Sequence, residues 1–557
     1  MTFHNPGARC PRAWSSSFGI LLLVGAATLS PEPAPVGSYL VQAPEYSAAL
    51  SAVMRVHGRV THDLPIINAV AADLTPAELQ TLERDSQLKI TPNRTVRVSG
   101  ASRAQQVQPY VVERTNANIL HAQGITGRGV TIAFLDTGWW SQHATQTNVS
   151  GRNVVLQGYD AIGNTLGVGA PNDHYGHGTH VLSIAVNSSI AQDGSFIGMA
   201  PDAARIVIRA FDQNGAGTYA NTIRGINWIL DNAARYQIRI VNMSFGAPPQ
   251  SYYWDDPLAQ AVMKLWQAGI VVVAAAGNEG PGPQTIDVPG NVPYVITVGA
   301  SSDNYTPTAP GDDFLASFSS TGPTFEGFVK PEMVAPGGHV IAVMQSSSTI
   351  AKAHPAFLGT NGYLGSSYFY MSGTSMSAAV VSGTVALMLQ ADPSLSADDV
   401  KCRLMSSAHP ALTSTGTLAY SIFQQGAGEV NAYDAVYSQA AGCANTGLTV
   451  SADLNGTQHF VGLANQSDDG SYYIMDLPSG QPESADGYSW SSGYTWSKGY
   501  TWSKGYTWSK GYTWSKGYTW AKGYTQSKAY ISSNPVNWGG TPNSTTPMSI
   551  LSWVDQE

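Results

Sequence analysis

The sequence predicts an α/β protein. Three layers are built on a doubly wound, mostly parallel sheet, with a small α+β unit ahead of it and a short β-rich, repeat-containing tail behind. Three observations carry this. Runs such as GVTIAFLDTG, ARIVIRAFD, IRIVNMSFG, GIVVVAAAGN and YVITVGAS are short, β-rich and apolar, and each closes on Gly, Asp, Asn or Ser. Helix-period stretches such as YANTIRGINWILDNAARY and DDPLAQAVMKLWQAG fall between them. Strands apolar on both faces that alternate with helices imply a parallel sheet covered on both sides. The third observation is a change of texture past residue 440, where periodic patterning gives way to a hexapeptide repeat.

Each element follows in chain order. Arg9 and Arg12 precede FGILLLVGAA, a short apolar run ending in small residues. That is the layout of a secretory signal peptide, assigned to 1–30, and the run is short for a membrane span. Residues 38–104 read as strand, helix, two paired strands, helix and strand, with QLKITPNRTVRV as the last strand. This is the β-α-β-β-α-β order of a ferredoxin-like unit. A polar connector follows, with a cleavable junction expected within 101–114. The α/β unit is assigned to 112–440. Residues 441–486 are expected to form two to four strands. Units of GYTWSK type fill 487–530, and a C-terminal tail takes 531–557. The period of six is even, so an extended chain would put Tyr, Trp and Lys on one face.

Composition narrows the function classes. The chain has 557 residues, of which 43% are hydrophobic and only 12% charged, with a net charge of −9. The negative balance argues against a nucleic-acid partner. Of three cysteines, Cys10 falls in the leader, and Cys402 and Cys443 remain. An oxidising compartment invites one disulfide between them, though spacing alone does not decide it.

The residues that bear chemistry stand at strand-to-helix junctions. Asp136 ends the apolar run TIAFLD. His177 opens HGTHVLSIA. Ser375 sits in MSGTSMSAAVVSG, at the head of a stretch apolar on nearly every side and therefore a buried helix. A hydroxyl there meets unpaired N–H groups and the positive end of the helix dipole. It needs a base and an orienter to act as a nucleophile. His174 and His180 flank His177 at a spacing of three, which raises a metal-site reading. No well-placed Cys or acid completes a ligand set.

DTG at Asp136, HGTH at His177, AAAGN ending at Asn278 and GTSM at Ser375 together resemble the signature stretches of the subtilisin-like serine proteases, in the same order. The resemblance covers roughly residues 112–440. It implies a subtilisin-like fold and a secreted serine endopeptidase that works through an acyl-enzyme. Ser375 is then nucleophile, His177 general base and acid, and Asp136 its orienter, with Asn278 donating to the oxyanion. Ser244, Phe245 and Gly246 resemble one strand that pairs with substrate backbone. Gly217 and Tyr219, in GAGTY, resemble the strand on the other side. No acid is recognisable in the primary pocket, so an apolar preference is expected. The 38–104 unit resembles the family's inhibitory prodomain, an intramolecular partner removed by self-cleavage. Partners are otherwise protein or peptide substrates.

The pattern departs in two places. Ala379 and Val380 stand where the family usually has Pro then His, which bears on rigidity of the helix start. The family's calcium loop is not recognisable in VNSSIAQDGSFIG, so no cofactor is assigned and calcium stays open. An alternative from another class is a secreted surface or carbohydrate-binding protein. It would use the tail tryptophans at 490, 496, 502, 508, 514 and 520, with the α/β unit as scaffold.

Overall fold

The computed structural model describes residues 36–98, 110–191, 193–306, 312–359, 368–414, 417–467, 470–476, 481–484 and 500–503. The predicted signal peptide, nearly all of the repeats and the C-terminal tail lie outside the described residues.

The N-terminal unit runs β1 (Gly37–Gln42), α1 (Tyr46–Arg55), β2 (Arg59–Leu64), β3 (Ala69–Leu74), α2 (Pro76–Leu82) and β4 (Lys89–Pro92). Its sheet is antiparallel in the order β2-β3-β1-β4. Thr75 starts α2 as a capping box with Glu78, which satisfies donors at both positions. The unit docks on the larger body through apolar contacts, with Leu40, Leu64 and Ile67 in the main hydrophobic core, and through polar ones. Gln42 Nε2 donates to Gln260 Oε1 at 2.9 Å, Arg224 to the Thr61 carbonyl at 3.1 Å, and Lys89 pairs with Asp255 at 3.0 Å.

QLKITPNRTVRV is not one strand. It breaks after Pro92, and β5 (Thr95–Val98) leaves its own sheet to pair elsewhere. Proline supplies no ladder N–H, and Asn93 turns aside to accept from Ala220 N at 2.9 Å.

The main body opens at Tyr110, whose hydroxyl donates to the Gly338 carbonyl; Val111 and Val112 enter the same core. The packed region thus starts just ahead of residue 112, and residues 110–114 of the expected connector belong to it. Arg114 is fixed there by Glu429 and Asp313. Its strands are β6 (Thr131–Asp136), β7 (Val155–Asp160), β8 (Ala204–Arg209), β9 (Ala216–Thr218), β10 (Ile238–Met243), β11 (Phe245–Gly246), β12 (Val271–Ala275), β13 (Ile296–Ser302) and β14 (Met333–Pro336). Strands β14-β13-β12-β10-β6-β8-β7 run parallel in one sheet, nine-stranded once its two short antiparallel edges are included. Its helices are α3 (His177–Val186), α4 (Tyr219–Tyr236), α5 (Pro257–Gln267) and α6 (Thr374–Ala391). One pair, α3 and α6, packs together on the sheet, and α4 with α5 forms the other helical layer.

From β6 the chain winds to β7 and β8 on one side, and later to β10, β12 and β13 on the other. A crevice therefore opens at the carboxyl ends of β6 and β10. Helix α6 is buried from Thr374 to Leu389 and is unbroken at Ala379 and Val380. Alanine and valine thus keep the helix start regular without proline, because its backbone is fixed by packing on all sides.

Past residue 440 the chain keeps packing on the same body. Phe460 and Ile474 are buried in the same hydrophobic core as the parallel sheet. The segment carries α7 (Val450–Leu454) and β15 (Gln458–Val461), and Asp453 accepts from both Tyr253 OH at 2.8 Å and Tyr294 OH at 2.6 Å. From the repeats, β16 (Tyr500–Ser503) pairs antiparallel with β15. Cys402 and Cys443 are disulfide-bonded, their Cα atoms 5.2 Å apart.

Candidate active site

Strand β6 ends on Asp136 at the crevice. Its Oδ1 accepts from Thr137 N at 2.7 Å and from His177 Nδ1 at 2.8 Å, and both side chains are buried. The imidazole is thereby held with Nδ1–H toward the acid, the tautomer in which Nε2 is the basic nitrogen. Gly178 follows because nothing larger fits. A Cβ there would lie 2.5 Å from the Gly138 carbonyl oxygen and 3.1 Å from Asp136 Oδ1.

Asp173, which the motif reading passed over, anchors the start of α3. It is fully buried and accepts from Tyr175 N, Gly176 N, Thr179 N, Thr179 Oγ1 and Thr137 Oγ1. It joins the turn after β6 to the helix that carries His177. An acid four residues ahead of a helix-opening histidine was the available signal. Asp173→Ala, made in a Ser375→Ala background to prevent self-digestion, is expected to lose roughly 3 kcal/mol of stability, since several charge-assisted bonds go at once. Urea denaturation checks this, and an unchanged midpoint would contradict it.

Ser375 is the second residue of α6. Its hydroxyl donates to the Ser244 carbonyl at 3.0 Å, and Ser244 Oγ donates back to the Ser375 carbonyl at 2.9 Å. Asn242 Nδ2 supports Ser244 Oγ at 2.9 Å, and Ser382 on α6 donates to Asn242 Oδ1 at 2.8 Å. The end of β10 is thus laced to the helix that presents the serine.

Asn278 follows β12. Its Oδ1 accepts from Thr374 N at 3.0 Å and Thr374 Oγ1 at 2.8 Å. That fixes the amide orientation. Its Nδ2 is buried and has no hydrogen-bond partner among the described residues. An unpaired buried donor beside a helix N-terminus is equipped to bind a developing oxyanion.

Strand β5 lies between the two strands expected to grip substrate. It pairs antiparallel with β9, Val96 opposite Gly217, and with β11, Arg97 opposite Gly246 and Val98 opposite Phe245. The Tyr219 and Phe245 side chains are themselves buried with this strand in place. Tyr219 OH reaches Asp256 Oδ2 at 3.0 Å, the Arg94 guanidinium lies over its ring at 5.5 Å, and Phe245 packs on Phe211.

A subtilase family model matches residues 127–437. The chain belongs to the subtilase family. It is 36% identical over 387 residues to the serine protease AprX of Bacillus subtilis, covering 67% of this chain and 80% of that protein. It is 33% identical over 306 residues to subtilisin DY of Bacillus licheniformis, covering 54% of this chain and 92% of the relative. Fervidolysin from Fervidobacterium pennivorans, a keratinolytic enzyme related to subtilisin, superposes with a TM-score of 0.57 at 22% identity, over 82% of this chain and 69% of that one. The fold is subtilisin-like, and the protein is a serine-type endopeptidase.

The flanking histidines of this subtilase do not converge on a metal site. His180 is buried, its Nε2 bonded to the Phe369 carbonyl at 2.9 Å, and burial pushes its pKa down to about 3. His174 is near the surface beside Asn172. In the 186–198 loop, Asn187 and Asp193 spend their side chains on Ser189, Tyr368 and Ser195. Among the described residues no group of three or more His, Cys, Asp or Glu could hold a metal ion.

One acid that the motif reading did not place lies beside the stretches carrying Gly246 and Asn278. Asp287 is buried against Gly246 and Gly277, one on each wall.

Proposed function

We propose that this subtilase is secreted as a preproprotein, removes its own N-terminal unit, and then cuts proteins or peptides through Asp136, His177 and Ser375. The observation that carries this reading is β5. It lies as a third strand between β9 and β11, the two strands that resemble the family's substrate-pairing strands. A peptide held so gains main-chain bonds on both edges, whatever its side chains.

The chemistry then follows from the atoms. The Ser375 hydroxyl turns from the Ser244 carbonyl, and Oγ attacks the scissile carbonyl carbon. His177 Nε2 takes the hydroxyl proton, and Asp136 stabilises the imidazolium. Negative charge on the former carbonyl oxygen meets Asn278 Nδ2–H and the Ser375 N–H. The C–N bond breaks, and the amine leaves with the proton from His177. Water repeats the sequence on the acyl-enzyme and frees the acid.

The docked unit fits an inhibitory prodomain, since its strand fills the groove that substrate needs. Secretion is supported by the predicted leader and by the Cys402–Cys443 disulfide, a bond typical of oxidising compartments.

The test is to express the full chain for secretion, treat the medium with a fluorophosphonate probe, and sequence the product. The adduct is expected on Ser375, with a new N-terminus beyond Val98 and no later than Tyr110. A folded, full-length, unlabelled product would overturn the proposal.

A further inference from the structure

Asp287 has no role in the triad, and its surroundings are unusual. Gly246, on β11, and Gly277, just before Asn278, both border Asp287, and their stretches resemble the two walls of the family's primary pocket. A Cβ at Gly246 would lie 2.6 Å from Asp287 Oδ2, and one at Gly277 would lie 2.9 Å from the same oxygen. Only glycine hydrogens separate the carboxyl from either wall. The residue is 4% exposed, and its carboxyl has no cation beside it among the described residues. Its backbone is held firmly. Asp287 N donates to the Ala276 carbonyl at 3.0 Å, and Val288 exchanges two bonds with Ala247.

A desolvated carboxyl with no cation beside it is costly to ionise. The ionisable groups facing it supply no positive charge. They are Glu279, from the same loop, and Tyr219, from α4. A substrate side chain can supply the cation that the described residues do not. The primary pocket takes the side chain of the residue whose carbonyl Ser375 attacks.

We propose that Asp287 makes this subtilase select a cationic side chain, lysine or arginine, at the residue preceding the scissile bond. This rests on the proteolytic reading above and replaces the apolar preference expected from sequence. The cation pairs with a carboxylate already desolvated and fixed, so little reorganisation accompanies binding. Burial, with the charge of Glu279 added, holds the empty-pocket carboxyl well above the usual carboxylate range. A bound cation favours the ionised form. Cleavage after Arg or Lys should therefore gain on cleavage after Phe as pH rises through the titration of Asp287, and lose the advantage in acid.

The test uses mature enzyme and chromogenic tetrapeptides that differ only at the residue before the leaving group: Arg, Lys, Phe or Glu. The wild type should favour Arg and Lys over Phe by about 10² in kcat/KM. Asp287→Asn should lose most of that margin, chiefly through KM on the basic substrates, and flatten the pH dependence of the Arg-to-Phe ratio. Inhibition by an argininal against a phenylalaninal peptide aldehyde gives a second reading on the wild type alone, whatever the variant's folding. Equal rates on Arg and Phe, or an unchanged margin in folded Asp287→Asn, would overturn the inference while leaving the protease reading intact. A folded wild type that cuts none of the four and resists fluorophosphonate would overturn both.

Discussion

Ser375→Ala is expected to abolish peptide hydrolysis and to leave the N-terminal unit attached. The hydroxyl is the nucleophile of the proposed mechanism, at the head of α6 next to Thr374, which bonds Asn278. It sits on a helix buried along its length, locked to Ser244 by reciprocal bonds, so no neighbouring hydroxyl can take its place. The loss in kcat should be about 10⁶, a magnitude carried over from the same replacement in subtilisin itself. What survives is the rate due to binding and the oxyanion donors. Alanine is tolerated structurally, because it forms helix well and only one hydrogen bond is given up. The secreted variant should therefore be folded, larger than mature wild type by the N-terminal unit, and blind to the probe. Intact mass and a chromogenic assay check both parts. A variant that still sheds residues 38–98 in a protease-deficient host would mean that another enzyme performs the maturation.

Much of this was legible because catalytic motifs in such a fold are local. Asp136 closes an apolar strand, His177 and Ser375 open helices, and Asn278 follows a strand. Each lies in a short stretch whose geometry is set by its immediate neighbours. What was not legible depends on distant packing. QLKITPNRTVRV has the pattern of a strand, but alternation cannot say whose edge it joins, and β5 abandons its own sheet for β9 and β11. The boundary at residue 440 followed a change of composition, whereas Phe460 and Ile474 reach back into the core across it. Asp287 lay in an unremarked loop, and only tertiary contact puts it against Gly246 and Gly277. Asp173 could have been found, since it stands one turn ahead of His177 where a helix needs an acceptor.

Asn278 offers the second large effect, and here two replacements separate donor from scaffold. Asn278→Ala removes the Nδ2 donor and also the acceptor that holds Thr374 N and Oγ1. Asn278→Asp keeps that acceptor in the same shape and removes only the donor. If the residue mattered chiefly by placing the head of α6, the aspartate variant would stay active and the alanine variant would not. The unpaired, buried Nδ2 predicts the opposite pattern. Both should fall by about 10²–10³ in kcat, the range known for the corresponding donor in subtilisin itself, with KM nearly unchanged, because the bond forms to the transition-state oxygen and hardly to the ground-state carbonyl. Aspartate should be the slower of the two wherever it is ionised, since its charge then faces the oxyanion, and acid should narrow the gap. Steady-state kinetics across pH on one peptide, with circular dichroism to establish folding, decides the matter. An Asn278→Asp enzyme within threefold of wild type would remove Asn278 from the oxyanion site and leave the N–H groups at the head of α6 to do its work.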